Sequence, residues 1–242
     1  MAKSVAEQSL SEMGGALSVL TRQREDHARL ELLLHELDDS TGAAQEKVLA
    51  KVCRLVFPHG FAEEAVLWPA LRRSFADGHD LTLEVEKEHQ QINELVKSLQ
   101  FGYPSDPERQ QVINQLIALL RQDVRDEEDV LLARLQEALT AGQLRRLGVV
   151  WELVRRMAPT RAHPVISRRP PGNVLAALPL SFLDRCQDRM DWLVRRTPSL
   201  IAEPLRRSSQ AAGRLSSHIE CLTPLRRGED PSTRASSTDL AD

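Results

Sequence analysis

The chain has 242 residues, 41% of them hydrophobic, and a formal net charge of −3. Membrane spans are excluded because no stretch approaches the roughly 20 consecutive apolar residues that a bilayer requires. A disulfide framework and a zinc knuckle are excluded because Cys53, Cys186 and Cys221 are few and widely spaced. The sequence also shows no apolar signal segment near Met1, so a cytoplasmic protein is expected.

Good helix formers dominate the sequence, and alternating runs of β-branched residues are missing. Hydrophobic periodicity predicts four long helices, over about 16–37, 43–75, 81–100 and 107–140. Pro58 and Pro69 lie within the second pattern and are expected to bend or interrupt it. Four long helices with short connections predict an all-α, up-down-up-down four-helix bundle.

The chain after the predicted bundle differs from the bundle in charge and in amino-acid composition. Residues 1–140 carry 15 basic and 25 acidic side chains, whereas residues 141–242 carry 17 arginines, no lysine and 10 acidic side chains. An additional helix is predicted over 144–157, followed by a Pro/Arg-rich extended segment and a short helix over 180–196. We therefore expect a bundle domain over 1–142, a basic helical and extended region over 143–205, and a disordered tail over 206–242.

Polar residues occupy the apolar stripe of each predicted bundle helix. In the second helix, Val52 and Val56 begin the inward-facing stripe, and the next positions on it are polar. In the fourth helix, Leu116 and Leu120 likewise precede polar positions on the stripe. Each helix contributes one or two polar groups at a similar height. In chain order these groups are His27, His59 with Glu63, His89, and Asp123 with Glu127.

Three carboxylates in the interior of a bundle require compensating positive charge. Burying an ionised carboxylate costs several kcal/mol unless it is paired, and neutral imidazoles supply no charge. Two divalent cations would supply it. The four-residue spacing of His59 with Glu63 and of Asp123 with Glu127 puts both members of each pair on one helix face. The pattern predicts a dinuclear metal centre in the middle of the bundle.

The stretch HGFAEEAVLWPAL, residues 59–71, resembles the second-helix motif H-x-x-x-E-E-x-x-L-x-P-x-L of the hemerythrin-like, or HHE cation-binding, family. The DH and EH pairs of that family correspond to residues 26–27 and 88–89. The fourth-helix sequence DVRDEEDVLLARL, residues 123–135, is similar, but has Asp123 where the family usually has His and Ala133 where it often has Pro. The resemblance covers residues from about 20 to 140. The rest looks like an extension found on some bacterial members.

The resemblance implies a non-haem di-iron site, in which oxo and carboxylate groups bridge two iron ions. Manganese and zinc are weaker alternatives. Glu63 and Glu127 are the expected bridging carboxylates, while Asp123 is either a ligand or a carboxylate hydrogen-bonded to a ligating histidine. No separate catalytic residue is assigned. The complete implied ligand set is His27, His59, Glu63, His89, Asp123 and Glu127.

Three functions remain open at this point. Asn93 stands where the oxygen carriers of the family have a second histidine, so the site is poorer in nitrogen, which favours binding or sensing of O2, NO or peroxide over oxygen storage. A di-iron redox enzyme with catalase-like or peroxidase-like turnover is the second alternative, and a metal-free helical interaction module is the third. A redox partner is undefined. Nucleic acid is not favoured, because no known nucleic-acid-binding motif accompanies the arginines.

Several neighbouring residues are expected to be structural. Glu64 and Glu128 follow the candidate bridging residues, and rotation by one position should turn them toward solvent or arginines. Trp151 is expected to be a packing residue of the fifth helix, and His163 is expected to be structural or exposed rather than a ligand. Glu86-x-x-His89 resembles half of a ferritin-type di-iron site, but no second Glu-x-x-His lies on the other bundle helices. A P-loop, a dinucleotide fingerprint and a nucleophile elbow are all absent from the sequence.

Overall fold

The computed structural model describes residues 3–99 and 107–235. The regular secondary structure of these residues is entirely helical, without any strand. This confirms the predicted all-α bundle with additional C-terminal helices. The helices are α1 (Val19–Asp38), α2 (Gly42–Ala62), α3 (Trp68–Ser74), α4 (Gly78–Leu99), α5 (Pro107–Asp126), α6 (Leu132–Ala138), α7 (Ala141–Met157), α8 (Gly172–Val194) and α9 (Ser199–Glu220). Short 3-10 helices occupy Val5–Glu7, Thr223–Arg226 and Pro231–Thr233.

Two apolar layers fill the bundle, and the polar stripe residues lie between them. One layer comes from the second halves of α1 and α4 and the first halves of α2 and α5, and it includes Leu34 and Leu116. The other layer comes from the opposite ends of these four helices together with α3, α6 and α7, and it includes Leu20 and Trp68. The fold therefore encloses a polar layer between two regions that hydrophobic burial stabilises.

One turn of π-helix interrupts the second long helix of the bundle, and another interrupts the fourth. Glu63–Leu67 joins α2 to α3, and Glu127–Leu131 joins α5 to α6. The prolines do not set these positions, because Pro58 continues within α2, Pro69 lies in the first turn of α3, and the second π turn contains no proline. A π turn inserts extra backbone into a helix and is often found at functional sites. Both turns begin at the candidate bridging glutamates.

Helix α7 closes one side of the bundle. A capping box formed by Thr140 and Gln143 starts the helix and satisfies its first backbone N–H groups. Gly148 lies so close to the start of α1 that a Cβ atom there would approach the carbonyl oxygen of Leu17 to 2.2 Å. This close approach brings the buried Trp151 ring edge-on to the His59 ring, with ring centroids 5.3 Å apart.

The region after α7 is more ordered than the sequence analysis predicts. Helix α8 begins at Gly172 rather than near residue 180, and α9 (Ser199–Glu220) occupies part of the segment 206–242 expected to be disordered. Helices α8 and α9 pack on each other, and Ser209 Oγ donates a hydrogen bond to Asp191 at 2.8 Å. Gly213 of α9 lies close to α8, since a Cβ atom there would lie 3.2 Å from Gln187 Oε1. The helix forms although the composition of this segment is typical of a disordered tail. Residues 236–242 of the predicted tail lie outside the described residues.

His163 anchors the C-terminal region between two carboxylates. Its Nδ1 lies 2.7 Å from Glu220 of α9, and its Nε2 lies 3.1 Å from Asp184 of α8. Burial lowers the pKa of His163, but the two carboxylates outweigh burial and raise it to about 9. The backbone N–H of His163 donates to Asn93 Oδ1 at 2.9 Å, while Asn93 Nδ2 donates to the carbonyl oxygen of His89 at 2.8 Å. The C-terminal region is thus tied to the helical turn that carries a candidate ligand.

We expect the stability contributed by His163 to be fully present below pH 6.5 and lost as the pH rises through about 9, because its folded-state pKa is raised. The loss is on the order of 3 kcal/mol. Urea unfolding of the wild-type protein and the His163→Gln variant at several pH values measures it. A free-energy difference between them that does not shrink between about pH 6 and pH 10 would contradict the assignment.

Candidate metal centre

All six candidate ligands meet in the polar layer, and no more than 8% of any of them is exposed. Their ligand atoms form two groups, within each of which the atoms lie no more than 4.8 Å apart. Glu127 belongs to both groups. The first group comprises His27, His59, Glu63 and Glu127, and the second comprises His89, Asp123 and Glu127.

Glu63 and Glu127 each direct one oxygen toward each group. Glu63 Oε1 lies 3.1 Å from His59 Nε2, and its Oε2 lies 3.7 Å from His89 Nε2. Glu127 Oε2 lies 3.1 Å from His27 Nε2, and its Oε1 lies 3.6 Å from His89 Nε2. Two carboxylates placed in this way are suited to bridge a pair of ions.

A carboxylate lies against the Nδ1 atom of each candidate histidine ligand. Such a carboxylate accepts the Nδ1–H hydrogen bond, fixes the tautomer and leaves the Nε2 lone pair for a metal ion. All three Nε2 atoms lie on the inner side of the site, where those of His27 and His59 are 3.1 Å apart. The pairs are His27 with Glu128 at 2.8 Å, His59 with Asp26 at 3.2 Å, and His89 with Glu64 at 2.9 Å.

The inner carboxylates have buried oxygen atoms for which no described residue completes a hydrogen bond, although Glu63 Oε1 and Glu127 Oε2 each lie 3.1 Å from an imidazole Nε2. These atoms are both oxygens of Glu63, both oxygens of Glu127, and Oδ1 of Asp123. Buried carboxylate oxygens left in this state cost several kcal/mol, whereas coordination of cations satisfies them. The donor set of imidazole nitrogens and carboxylates suits iron, manganese or zinc. The residues present therefore fit a pair of metal ions.

Burial and neighbouring carboxylates shift the pKa values of the candidate histidine ligands in opposite directions. Burial lowers the pKa of His27, but Glu127 and Glu128 outweigh burial and raise it to about 9. Burial likewise lowers the pKa of His59, while Glu63 and Asp26 raise it to about 10. Because ligation requires a deprotonated Nε2, uptake of metal ions at this centre releases protons.

The expectation that Glu64 and Glu128 face solvent or neighbouring arginines is wrong in its main part. Only 1% of Glu64 and 9% of Glu128 is exposed, and each lies against the Nδ1 atom of a candidate ligand. The π turns explain the difference, because the altered helical pitch lets two consecutive glutamates face the interior. The repeated Glu-Glu pair in the second and fourth helices is the signal in the sequence for this arrangement.

The position of Asp123 relative to the His89 ring bears on the two alternatives for this residue. Its Oδ1 lies 3.5 Å from His89 Nε2, on the inner side of the ring, whereas Glu64 occupies the Nδ1 side. This geometry favours Asp123 as a ligand rather than as a carboxylate behind His89. The ferritin-like alternative is not supported, because Glu86 is buried against Arg169, whose Nε donates to Glu86 Oε2 at 2.8 Å.

A small cavity of about 50 Å³ adjoins the centre. Three candidate histidine ligands and Asp123 line one part of its wall, and apolar side chains such as Leu30 and Ile92 line another. The segment between α7 and α8 covers the cavity through residues such as Arg168. A volume of this size holds a few waters or a diatomic molecule.

Residues 18–135 match the family model described as the hemerythrin HHE cation-binding domain. These residues form a hemerythrin HHE domain. The chain is also 28% identical over 121 residues to a protein named DNA nickase from Nostoc sp. (strain PCC 7120 / SAG 25.82 / UTEX 2576). That match covers 50% of this chain and 34% of the relative, so the chain spans about a third of the relative's length. No solved structure matches the chain significantly.

All six candidate ligands lie within the HHE domain, as do the three carboxylates behind the histidines. Two arginines from beyond the domain reach these outer carboxylates. Arg155 Nη1 lies 3.1 Å from Asp26 Oδ2, and Arg168 Nη1 lies 3.7 Å from Glu64 Oε1. The C-terminal region thus contributes positive charge to the surroundings of the cation-binding centre.

Proposed function

We propose that the protein is a hemerythrin-like non-haem di-iron protein that binds or senses O2, NO or peroxide. The observation that carries this proposal is the pair of buried ligand groups that share Glu127, with inner carboxylate oxygens that lack hydrogen-bond partners. Iron held by these residues would supply the binding of small oxidants and the exchange of electrons with them. The protein's own residues orient the ligands and exclude bulk water.

The polar layer positions the ligands through carboxylates on neighbouring helices. Glu64 and Glu128 fix the rings of His89 and His27, so that each Nε2 is presented to the interior. The apolar layers on either side keep the site dry, which strengthens its electrostatic interactions. These features suit selective access by a molecule of a few atoms.

The cavity argues against a large substrate at the centre. Its volume of about 50 Å³ and the burial of all six candidate ligands suit a molecule of a few atoms better than a phosphodiester of DNA. The name of the Nostoc relative therefore does not alter the proposal, since the match covers only 34% of that protein.

We propose that the protein acts in the cytoplasm. None of the helices in the described part of the chain is long and apolar enough to cross a membrane. Cys53, Cys186 and Cys221 are free thiols, which is consistent with a reducing compartment.

Elemental analysis after anaerobic iron loading, combined with absorption spectra before and after addition of O2, NO or peroxide, tests the proposal. We expect about two iron atoms per chain and a spectral change with at least one ligand. Less than half an iron atom per chain would favour the metal-free interaction module instead. Sustained release of O2 from peroxide would favour the redox enzyme, whereas a single spectral change without turnover supports binding or sensing.

A further inference from the structure

Arg168 is one of the residues that line the cavity beside the metal centre. It lies between α7 and α8, outside the HHE domain, and only 8% of the residue is exposed. Its Nη2 donates a hydrogen bond to the carbonyl oxygen of His163 at 2.7 Å, which fixes one end of the group. Its buried Nε has no hydrogen-bond partner among the described residues. A buried N–H donor in this state is costly unless a ligand accepts its hydrogen bond.

The charge of Arg168 is only partly neutralised. Its ion-pair contact is with Glu64 Oε1, at 3.7 Å, and that oxygen already lies 2.9 Å from His89 Nδ1. Glu229 also interacts with Arg168 through charge, but its own contacts are with Arg226 and Arg234. The remaining positive charge of Arg168 therefore favours binding of a further anion.

The other cationic groups of the cavity wall are matched by carboxylates. Arg161 Nη2 lies 2.9 Å from Asp188 Oδ1 and 2.6 Å from Asp191 Oδ2. The His163 ring lies between Asp184 and Glu220, with contacts of 3.1 Å and 2.7 Å. The Nε of Arg161 also lacks a hydrogen-bond partner, so the contrast between the two arginines lies in their carboxylates: Arg161 has two within 2.9 Å, whereas the ion-pair contact of Arg168 is at 3.7 Å.

We infer that Arg168 makes the cavity selective for small anions, such as hydroperoxide or azide, over neutral diatomic molecules. This inference rests on the proposed function, because it assigns a ligand class to the same cavity. A bound anion would accept a hydrogen bond from Arg168 and balance its charge in a site of low dielectric. A neutral molecule gains little from that charge. Arg168 is therefore a specificity-determining residue supplied by the C-terminal region.

Titration of iron-loaded protein with azide and, separately, with NO tests this assignment. Replacement of Arg168 with glutamine is expected to weaken azide binding by about 10- to 100-fold, because one charged hydrogen bond is lost. Affinity for NO should change by no more than about twofold, since NO carries no charge. Arg168→Lys should restore part of the azide affinity, because lysine keeps the charge but not the planar group of donors.

Arg156→Gln is the matched control. It removes the same charge from the C-terminal region, but the Arg156 side chain is 74% exposed and lies outside the cavity wall. We expect its azide affinity to equal that of the wild-type protein. Equal azide affinity in Arg168→Gln, or equal losses of azide and NO affinity, would overturn the assignment. Loss of iron from both Arg168 variants would also overturn it, because Arg168 would then serve metal retention. Failure of iron-loaded wild-type protein to bind any of NO, azide, O2 and peroxide would instead overturn the proposed function.

Discussion

Replacement of Glu127 with alanine is expected to reduce the metal content from about two ions per chain to less than half an ion. Glu127 belongs to both groups of ligand atoms, so its removal takes a ligand from each position. Asp123 belongs to one group only, so Asp123→Ala should retain about one ion, held by the first group. Elemental analysis after identical loading and gel filtration measures both outcomes.

Asp129→Ala provides the control for this comparison. Asp129 lies in the same π turn as Glu127 but is exposed, so the variant should keep the full metal content. Equal losses in Glu127→Ala and Asp123→Ala would contradict a shared carboxylate. Full metal content in Glu127→Ala would contradict the assignment of the centre itself, as would full content in Glu63→Ala.

Removal of the metal ions is expected to lower the thermal midpoint of the protein by about 10 °C. Ligand binding at hundreds of times the dissociation constant stabilises a folded protein by roughly 3 to 4 kcal/mol, which corresponds to a shift of this size in a protein of this length. The effect is expected to be large here because the ions also compensate the inner carboxylates, whose oxygen atoms lack hydrogen-bond partners. Calorimetry of loaded and chelator-treated protein measures the shift.

The Glu63→Gln variant separates compensation of charge from general effects of the chelator, because burial and the neighbouring Glu127 raise the pKa of Glu63 and so disfavour its charge in the metal-free protein. Glutamine has nearly the same volume, but it removes one buried negative charge and weakens the bridge between the two positions. We expect the metal-free variant to melt at a higher temperature than the metal-free wild-type protein, and iron to add little stability to it. A wild-type midpoint that is unchanged by iron would contradict the role given to the ions.

The sequence was sufficient to predict the bundle and the groups that meet at its centre. Helical periodicity placed His59 and Glu63 on the inner stripe of the second predicted helix, and the structure buries them in the last turn of α2 and at the start of the π turn that follows. The burial cost of carboxylates then pointed to cations without any knowledge of contacts between helices. Spacing within one helix is local information, and it transfers directly to the fold.

The outer carboxylates could not be predicted from an ideal helix. With a rotation of about 100° per residue, Glu64 points away from the direction of Glu63. The π turn changes this relation, and the cost of that turn is offset by contacts across the bundle that the local sequence does not reveal. The same limit applies to Arg168, because its position depends on how the segment between α7 and α8 packs against helices that are distant in the sequence.

The order in α9 depends on a similar long-range interaction. Its many serines, alanines and arginines favour a solvated chain when they are considered locally. Contacts with α8, and the approach of Glu220 to His163, stabilise the helix instead. Amino-acid composition indicates the conformational entropy that a segment loses when it becomes ordered. Contacts with the rest of the protein determine whether that loss is offset.

The arrangement of a polar layer between two apolar layers has a consequence for the protein inside a cell. When metal ions are scarce, both ends of the bundle can still pack, but mutual repulsion among the inner carboxylates would weaken the region between them. Local opening there would expose backbone to proteases, which degrade transiently unfolded chains. The abundance of this protein would then follow the supply of its metal without any change in transcription.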